Sequence, residues 1–308
     1  MPENSMAGCD FCGIIHEVGA KAASIHPRGT RVCGAVFPYH PKGAQNGAFA
    51  QFVAADCRLL LRVPDDWTDL EGASLGGVGW STLCLAFADP EALALTGTPS
   101  RPVDRPGHAV IVYGGGTATG TLACQLLARS GYRPVVLSSN TSAPLAIKRG
   151  AVGVASYASS DCVETVRSLA EGPIRHVLDC ITDSHSAAIC FSAIYRAGGR
   201  YACLERFQES WRTRRAVKVK EVMGYEMLNT DVDLGPTVYT RKSSQVMFDI
   251  GKQWAKEMQF LLDMGAIESH PIREVDGQWN GIMQAFAMLE EGKARGQRLV
   301  VRVSTGIP

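Results

Sequence analysis

Short apolar or alternating runs, each bounded by Gly, Pro or Asn, mark the first eighty positions: GIIHEVG, RVCGAVF, FAQFVAA and LLLRVP. Runs of this length and composition read as β-strands. They predict a small, irregular β-rich domain over residues 1–80. From Gly107 the texture changes. HAVIVY is a continuous apolar run, GGGTATG is a turn, and TLACQLLARSGY places Leu122, Leu126 and Leu127 at helical spacing. PVVLSSN reads as the next strand, LAIKRGA opens a second cycle, and RHVLDCI and GGRYACLE supply later strands.

Parallel strands need a crossover, which a helix provides, so this alternation predicts a parallel sheet with helices on both faces. The fold class expected is α/β, a Rossmann-type doubly wound sheet over residues 81–245 beside the β-rich domain. Past Val217 the pattern loosens through NTDVDLGPTVYT. A helix is predicted over 245–264 and another through IMQAFAMLEEGKARGQ. RLVVRV reads as a last strand, so residues 246–308 are expected to return to the first domain.

Composition narrows the class. The 308 residues carry 31 Lys and Arg against 30 Asp and Glu, a balance that gives no general attraction to nucleic acid or membrane surfaces. Ten cysteines are scattered through apolar segments, as buried thiols in a reducing compartment would be. The opening residues show no basic-then-apolar leader, and no apolar run is long enough to span a bilayer. These features predict a soluble cytosolic protein acting on a small or tethered substrate.

The strongest chemical signal is the turn Gly114, Gly115, Gly116, Thr117, Ala118, Thr119, Gly120. A strand that ends in glycines and runs straight into a helix brings backbone N–H groups and the positive helix end onto a pyrophosphate. The spacing departs from the strict dinucleotide fingerprint, because Thr119 stands where counting from Gly114 asks for the third glycine. A turn that only packs strand on helix is the plain alternative, which the preceding VIVY strand and following periodic helix weigh against. At the next strand end an acidic side chain would bind ribose hydroxyls and repel a 2′-phosphate. Ser138, Ser139 and Asn140 stand there instead, with Lys148 and Arg149 one helix later, which favours NADPH. Lys148 reads equally as a solvated helix-end cation.

Cys9, Cys12 and His16 suggest zinc, but a structural site needs four ligands, and Cys33 and Cys57 stand alone. No metal is expected.

The segments GCDFCGIIHEVG, RVCGAVF with NGAFAQFV, VYGGGTATGT, LDCIT, RAGGRYACLE, DLGPTVY and GQRLVVR together resemble the medium-chain dehydrogenase/reductase superfamily. Within it, VYGGGTATGT and DLGPTVY resemble the zinc-independent, trans-acting enoyl reductases of fungal polyketide synthases, the lovastatin type. The resemblance implies a GroES-like catalytic domain beside the Rossmann domain. Zinc alcohol dehydrogenases carry Gly-His-Glu where Gly8, Cys9 and Asp10 stand here, and their cysteine-rich zinc lobe has no counterpart.

Carried over by position, the resemblance implies phosphate contacts from Gly116, Thr117, Ala118 and Thr119, and 2′-phosphate contacts at Ser138, Ser139 and Asn140. Tyr157 would lie near the adenosine, Ile181 and Thr182 beneath the nicotinamide ribose, and Ala294 and Arg295 over the cofactor. Gly77, Val78, Gly79, Trp80, Ser81, Thr82, Leu83 and Cys84 would line a substrate channel with Gly235, Pro236, Thr237, Val238 and Tyr239. Two bland alternatives stand: GVGWSTLC as only the first domain-linking helix, and GPTVY as only a turn into a strand. The family pattern also places further β-strands, with an Asn-Pro-x-Asp-x-Lys-like stretch, before GCDF. This chain starts just before GCDF, which implies an incomplete gene model or a curtailed catalytic domain.

The chemistry implied is hydride transfer from NADPH to the β-carbon of an α,β-unsaturated polyketide thioester held on the carrier protein of a polyketide synthase. Alignment and stabilisation of the developing enolate oxygen matter more there than covalent catalysis. Tyr239, Thr82 and backbone N–H groups are conceivable donors, and no motif assigns the proton. The stretch RFQESWRTRRAVKVK, with Arg206, Arg212, Arg214, Arg215, Lys218 and Lys220, reads as a carrier-docking patch or a solvated basic loop. GGRYACLE reads as an edge strand for pairing in dimeric relatives, while the polyketide branch implies a monomer. A quinone or enone reductase, a zinc alcohol dehydrogenase and a non-catalytic NADPH-binding protein remain alternatives.

Overall fold

A computed structural model describes residues 5–39, 46–104, 107–235 and 237–303. Contacts divide the chain into two units, one formed by residues up to Ser81 together with those from Gly224 onward, the other by Thr82–Met223. In the first unit β1 (Asp10–Ile14), β2 (Arg31–Ala35) and β3 (Leu61–Arg62) form an antiparallel sheet in that order. FAQFVAA, read as a strand, is instead a loop. Its backbone is diverted to Asn46, whose side chain both donates to the Ala54 carbonyl at 3.0 Å and accepts from the Ala54 N–H at 3.2 Å. Helix α1 (Asp69–Leu75) starts at a capping box between Thr68 and Glu71. Helix α2 (Val78–Ala88) contains the boundary between the units.

The second unit is the α/β sandwich. Strand β4 (Ala109–Tyr113) is buried at every residue, as a central strand covered on both faces must be. After it come α3 (Ala118–Arg129), β5 (Arg133–Ser138), α4 (Ala143–Lys148), β6 (Gly153–Ser156), α5 (Cys162–Ala170), β7 (His176–Asp179), α6 (Ser184–Ala193), β8 (Gly199–Cys203) and β9 (Val217–Glu221). All six strands are parallel, in the order β6-β5-β4-β7-β8-β9. One face of the sheet packs Ile111, Leu137, Val177 and Tyr201 with Val166 and Phe191.

Two expectations change here. GGRYACLE is not an edge strand: β8 lies between β7 and β9. The edge on that side is β9, inside the stretch read as a basic patch or loop. Its VKVKE alternation is that of a half-covered strand, which the density of basic residues concealed.

The chain then re-enters the first unit with α7 (Gln245–Asp263), β10 (Ile272–Glu274), α8 (Trp279–Glu290) and β11 (Arg298–Val300). Strand β11 pairs in parallel with β10. Residues 224–244, grouped by the sequence pattern with the Rossmann segment, cluster with this unit, the 3₁₀ turn at Gly224–Leu228 packing on α7. Among the described residues no helix is long and apolar enough to cross a membrane.

Candidate nucleotide-binding site

Because the sheet is parallel, the carboxyl ends of all its strands share one edge. The order runs outward in both directions from β4 and β7, which makes the gap above them the topological switch point. The glycine turn stands at that place. Gly114 has φ +85°, a left-handed conformation that disfavours side chains, and its N–H and that of Gly115 both donate to the Leu137 carbonyl, at 2.9 and 3.2 Å. A Cβ on Gly115 would lie 2.2 Å from Val136 Cγ1, and one on Gly120 would lie 2.3 Å from the Gly114 carbonyl oxygen. Gly120 therefore performs the close strand-to-helix packing that the strict motif gives to the preceding position. Thr119 is free to differ.

Thr117 caps α3: its hydroxyl accepts from the Gly120 N–H at 2.9 Å and donates to the Gly114 carbonyl at 2.9 Å. Ala118 and Thr119 form the first turn, where backbone N–H groups have no intrahelical acceptor and the helix dipole is positive. Gly116, Thr117, Ala118 and Thr119 are half-exposed, whereas Gly115 and Gly120 on either side are buried. The turn thus offers donors outward while its ends are locked inward.

Beside it lies the end of β5. Ser139 donates to Ser142 Oγ at 3.1 Å and shares a 2.8 Å hydrogen bond with the Thr141 hydroxyl. Ser142 in turn sits against the turn, since a Cβ on Gly116 would come within 2.4 Å of its Oγ. Asn140 is exposed, and no acidic side chain occurs from 138 to 143. Ser138 differs from its neighbours: it is buried, with its hydroxyl donating to the Ser139 carbonyl at 3.1 Å. Tyr157, just past β6, stacks on Tyr113 with ring centroids 5.8 Å apart. Of the two cations one helix later, Lys148 is exposed and Arg149 is buried at the end of α4.

The third wall is held by a residue the sequence reading passed over. Asp179, the last residue of β7, is fully buried and accepts from the N–H groups of Ile181 and Thr182, both at 2.9 Å, from Ser186 Oγ at 2.6 Å and from the Tyr201 hydroxyl at 2.7 Å. Burial pushes its carboxyl above the ordinary carboxylate range, against the pull of those donors. The bonds bend the chain sharply, so that Thr182 takes a left-handed φ of +61° and Ile181 is carried over Gly114, its Cγ1 3.0 Å from where a Cβ there would stand. Thr182 Oγ1 accepts from the Leu204 N–H at 3.2 Å, tying the ends of β7 and β8. An aspartate ending a buried strand, with Asp183 and Ser186 forming a capping box behind it, was the available signal.

The remaining expected residues separate into kinds. Trp80, Leu83 and Cys84 are fully buried in α2, with Ser81 and Thr82 nearly so, while Val78 and Gly79 are half-exposed. Gly77 is required by packing, because a Cβ would lie 2.4 Å from the Ala35 N–H nitrogen. Gly235, Thr237, Val238 and Tyr239 form an exposed loop, with Thr240 Oγ1 donating to the Gly235 carbonyl at 2.6 Å; Pro236 lies outside the described residues. Ala294 and Arg295 occupy the turn between α8 and β11 in the first unit.

The former zinc-motif positions are committed otherwise. Cys9 accepts a 2.7 Å hydrogen bond from the Tyr225 hydroxyl, and burial raises its pKa. Cys12 is pushed up to about 12, mainly by burial and then by Asp69, so neither thiol ionises readily to a thiolate ligand. Asp10 accepts from the N–H groups of Gly77 and Val78 at 2.8 and 2.7 Å, capping α2, and pairs with Arg298. Among the described residues no group of three or more His, Cys, Asp or Glu could hold a metal ion.

No protein-family model matches the chain. It is 54% identical to the trans-enoyl reductase calK of Penicillium decumbens, covering 98% of this chain and 83% of that protein. It is 50% identical to the trans-enoyl reductase sthE of Phaeosphaeria nodorum, covering 98% and 82%. Among solved structures, it resembles an alcohol dehydrogenase superfamily protein from Novosphingobium aromaticivorans, with a TM-score of 0.71, 19% identity and coverage of 93% and 78%. It also resembles mycobacterial Rv1454c, solved in complex with NADPH, with a TM-score of 0.65, 21% identity and coverage of 96% and 81%. At these identities the two structures establish the shared fold.

Proposed function

Since the chain belongs to the trans-enoyl reductase family, we propose that it is an NADPH-dependent, zinc-independent reductase of α,β-unsaturated polyketide thioesters, presented by the carrier protein of a fungal polyketide synthase. The observation that carries this reading is the glycine turn at the switch point, with half-exposed donors at Gly116, Ala118 and Thr119 and no carboxylate at the end of β5. A reduced nicotinamide, when bound, supplies hydride to the electron-poor β-carbon of the enoyl thioester.

The chain's own residues bind and orient. The N–H groups of Ala118 and Thr119, at the positive end of α3, suit a pyrophosphate. Ser139 and exposed Asn140 offer hydroxyl and amide donors to a 2′-phosphate, where an acidic side chain would repel it. Tyr157, stacked on Tyr113, borders the adenosine side. Ile181 and Thr182, clamped by Asp179, present an apolar ledge and fixed backbone to the nicotinamide ribose. Backbone held this way needs no reorganisation as charge moves, which is the source of most electrostatic catalysis.

The test follows NADPH and NADH oxidation with an enoyl-pantetheine thioester and with a free enone or quinone. Preferred turnover of the thioester with NADPH is expected. Preference for the quinone, or for NADH, would overturn the reading.

A further inference from the structure

The edge of the sheet opposite the glycine turn is lined with cations. Arg133, Arg175, Arg200 and Lys218 stand within one residue of the starts of β5, β7, β8 and β9, beside the imidazoles of His108 and His176, which burial holds toward the neutral form. His176, Arg200 and Lys218 occupy successive register positions on three adjacent strands, and so share one face of the sheet about 4.8 Å apart. Two adjoining clefts open there and share Arg175. One, of about 260 Å³, is lined by Arg175, His176, Arg200 and Lys218; the other, of about 530 Å³, by Arg167, Arg175, Tyr195 and Arg196 with Pro173 and Ile174.

Little opposes this charge. Among the described residues no ion pair involves Arg167, Arg175, Arg196, Arg200 or Lys218, and Glu171 is already held by Arg133 at 2.8 Å. Arg200 and Arg167 rest on neutral carbonyls, at Pro90 and Ala92 and at Ser192, and Arg175 lies over the Tyr195 ring at 5.7 Å. Like charges in neighbouring register positions are unfavourable. A chain with net charge +1 has gathered them here and not spread them evenly. The clefts are shallow and the cations extend along the edge, a form suited to a broad acidic surface more than to one small anion.

We propose that this amino-terminal edge of β7, β8 and β9 is a docking surface for an acidic face of the polyketide synthase itself, outside its mobile carrier protein. The proposal rests on the function inferred above. The nucleotide crevice lies toward the other ends of the same strands, four to five residues and about 13–17 Å away. A partner seated on the amino-terminal edge holds the reductase while leaving the crevice open to the carrier's acyl chain.

The test is the charge-reversed double variant Arg175→Glu, Lys218→Glu, with Arg175→Gln, Lys218→Gln as the milder pair. Three substrates are compared: a free enoyl-pantetheine thioester, the same acyl chain on an excised carrier domain, and the same chain on the intact synthase. The expected result is a KM for the intact synthase raised about tenfold by reversal and about threefold by neutralisation, with a wild-type KM that rises with salt. Turnover of the free thioester should stay within about twofold of wild type, which also reports that the variant is folded. An unchanged KM for the intact synthase overturns the proposal, as does an equal rise with the excised carrier, which would move the contact to the carrier. Should wild type fail to reduce the free thioester, the functional reading fails instead. Direct binding of wild type and variant to the intact synthase, by sedimentation, then decides the docking surface alone.

Discussion

Replacing Asp179 by alanine tests whether one buried carboxylate shapes the nicotinamide side of the crevice. The side chain accepts four hydrogen bonds, two from backbone and two from hydroxyls. The hydroxyls of Ser186 and Tyr201 can rotate toward other acceptors, but the N–H groups of Ile181 and Thr182 are fixed by the bend. Leaving these donors unsatisfied, the Thr182 N–H buried and the Ile181 N–H partly so, costs roughly 1–3 kcal/mol each. Asp179→Ala should therefore destabilise the protein by about 3–5 kcal/mol, part of it relieved because burial already disfavours the charge. Asp179→Asn keeps one acceptor oxygen and lets the hydroxyls reverse, so its cost should stay near 1 kcal/mol. Because the native carboxyl is raised above its ordinary value of 3.8, the folded wild type binds its proton more tightly than the unfolded chain. Wild-type stability relative to Asp179→Asn should accordingly fall as pH rises through that range. Urea unfolding across pH, with KM for NADPH, measures all of this. An alanine variant within about 1 kcal/mol of wild type with an unchanged KM would refute the role given to Asp179.

Three further outcomes follow from the same geometry. Gly120→Ala drives a Cβ to 2.3 Å from a backbone oxygen; it should lose about 1–3 kcal/mol in thermal or urea unfolding and weaken NADPH binding about tenfold. Asn140→Asp puts a carboxylate at the end of β5 and should shift the NADPH-to-NADH preference in kcat/KM toward NADH by about tenfold. His176 has its imidazole pushed down to about 4, chiefly by burial and then by His108, Arg200 and Arg175. Its unfolded form takes up a proton first, so stability should be lost as pH falls from about 6.5 to about 4, by up to about 3 kcal/mol, and His176→Gln should flatten that limb of the unfolding curve.

The central sheet was legible because its strands are apolar on both faces and its helices keep one period; AVIVY and the helix through Leu122 and Leu127 leave little choice. The edge was not. VKVKE carries a strand's alternation under a basic composition, and a charge count outweighed it. FAQFVAA had strand residues but lost its backbone to a single asparagine eight positions away across a loop, an effect no local propensity contains. In the site, glycines and hydroxyls announced themselves by type, yet type alone could not tell that Ser138 turns inward while Ser139 and Asn140 do not. Trp80, Leu83 and Cys84 show the same limit, since a helix of continuous apolar character does not declare which face meets a channel and which a core. Asp179 was missed because a strand-end aspartate looks alike whether it is a surface cap or a buried hub.

The division of the chain at Ser81 and Gly224 has a consequence for how the molecule is made. The nucleotide-binding unit is one uninterrupted stretch and can fold on emergence, before the residues from Gly224 onward are translated. The other unit cannot. Asp10 waits for Arg298, 288 positions later, and until the two meet the carboxylate has the Gly77 and Val78 amides to hold it. Contacts so distant along the chain form slowly, because a long loop must close before any bond rewards it. The nascent β1–β3 sheet therefore stays half built until the residues from Gly224 onward arrive, which makes chaperone dependence and expression temperature, more than codon choice, the variables that should govern yield.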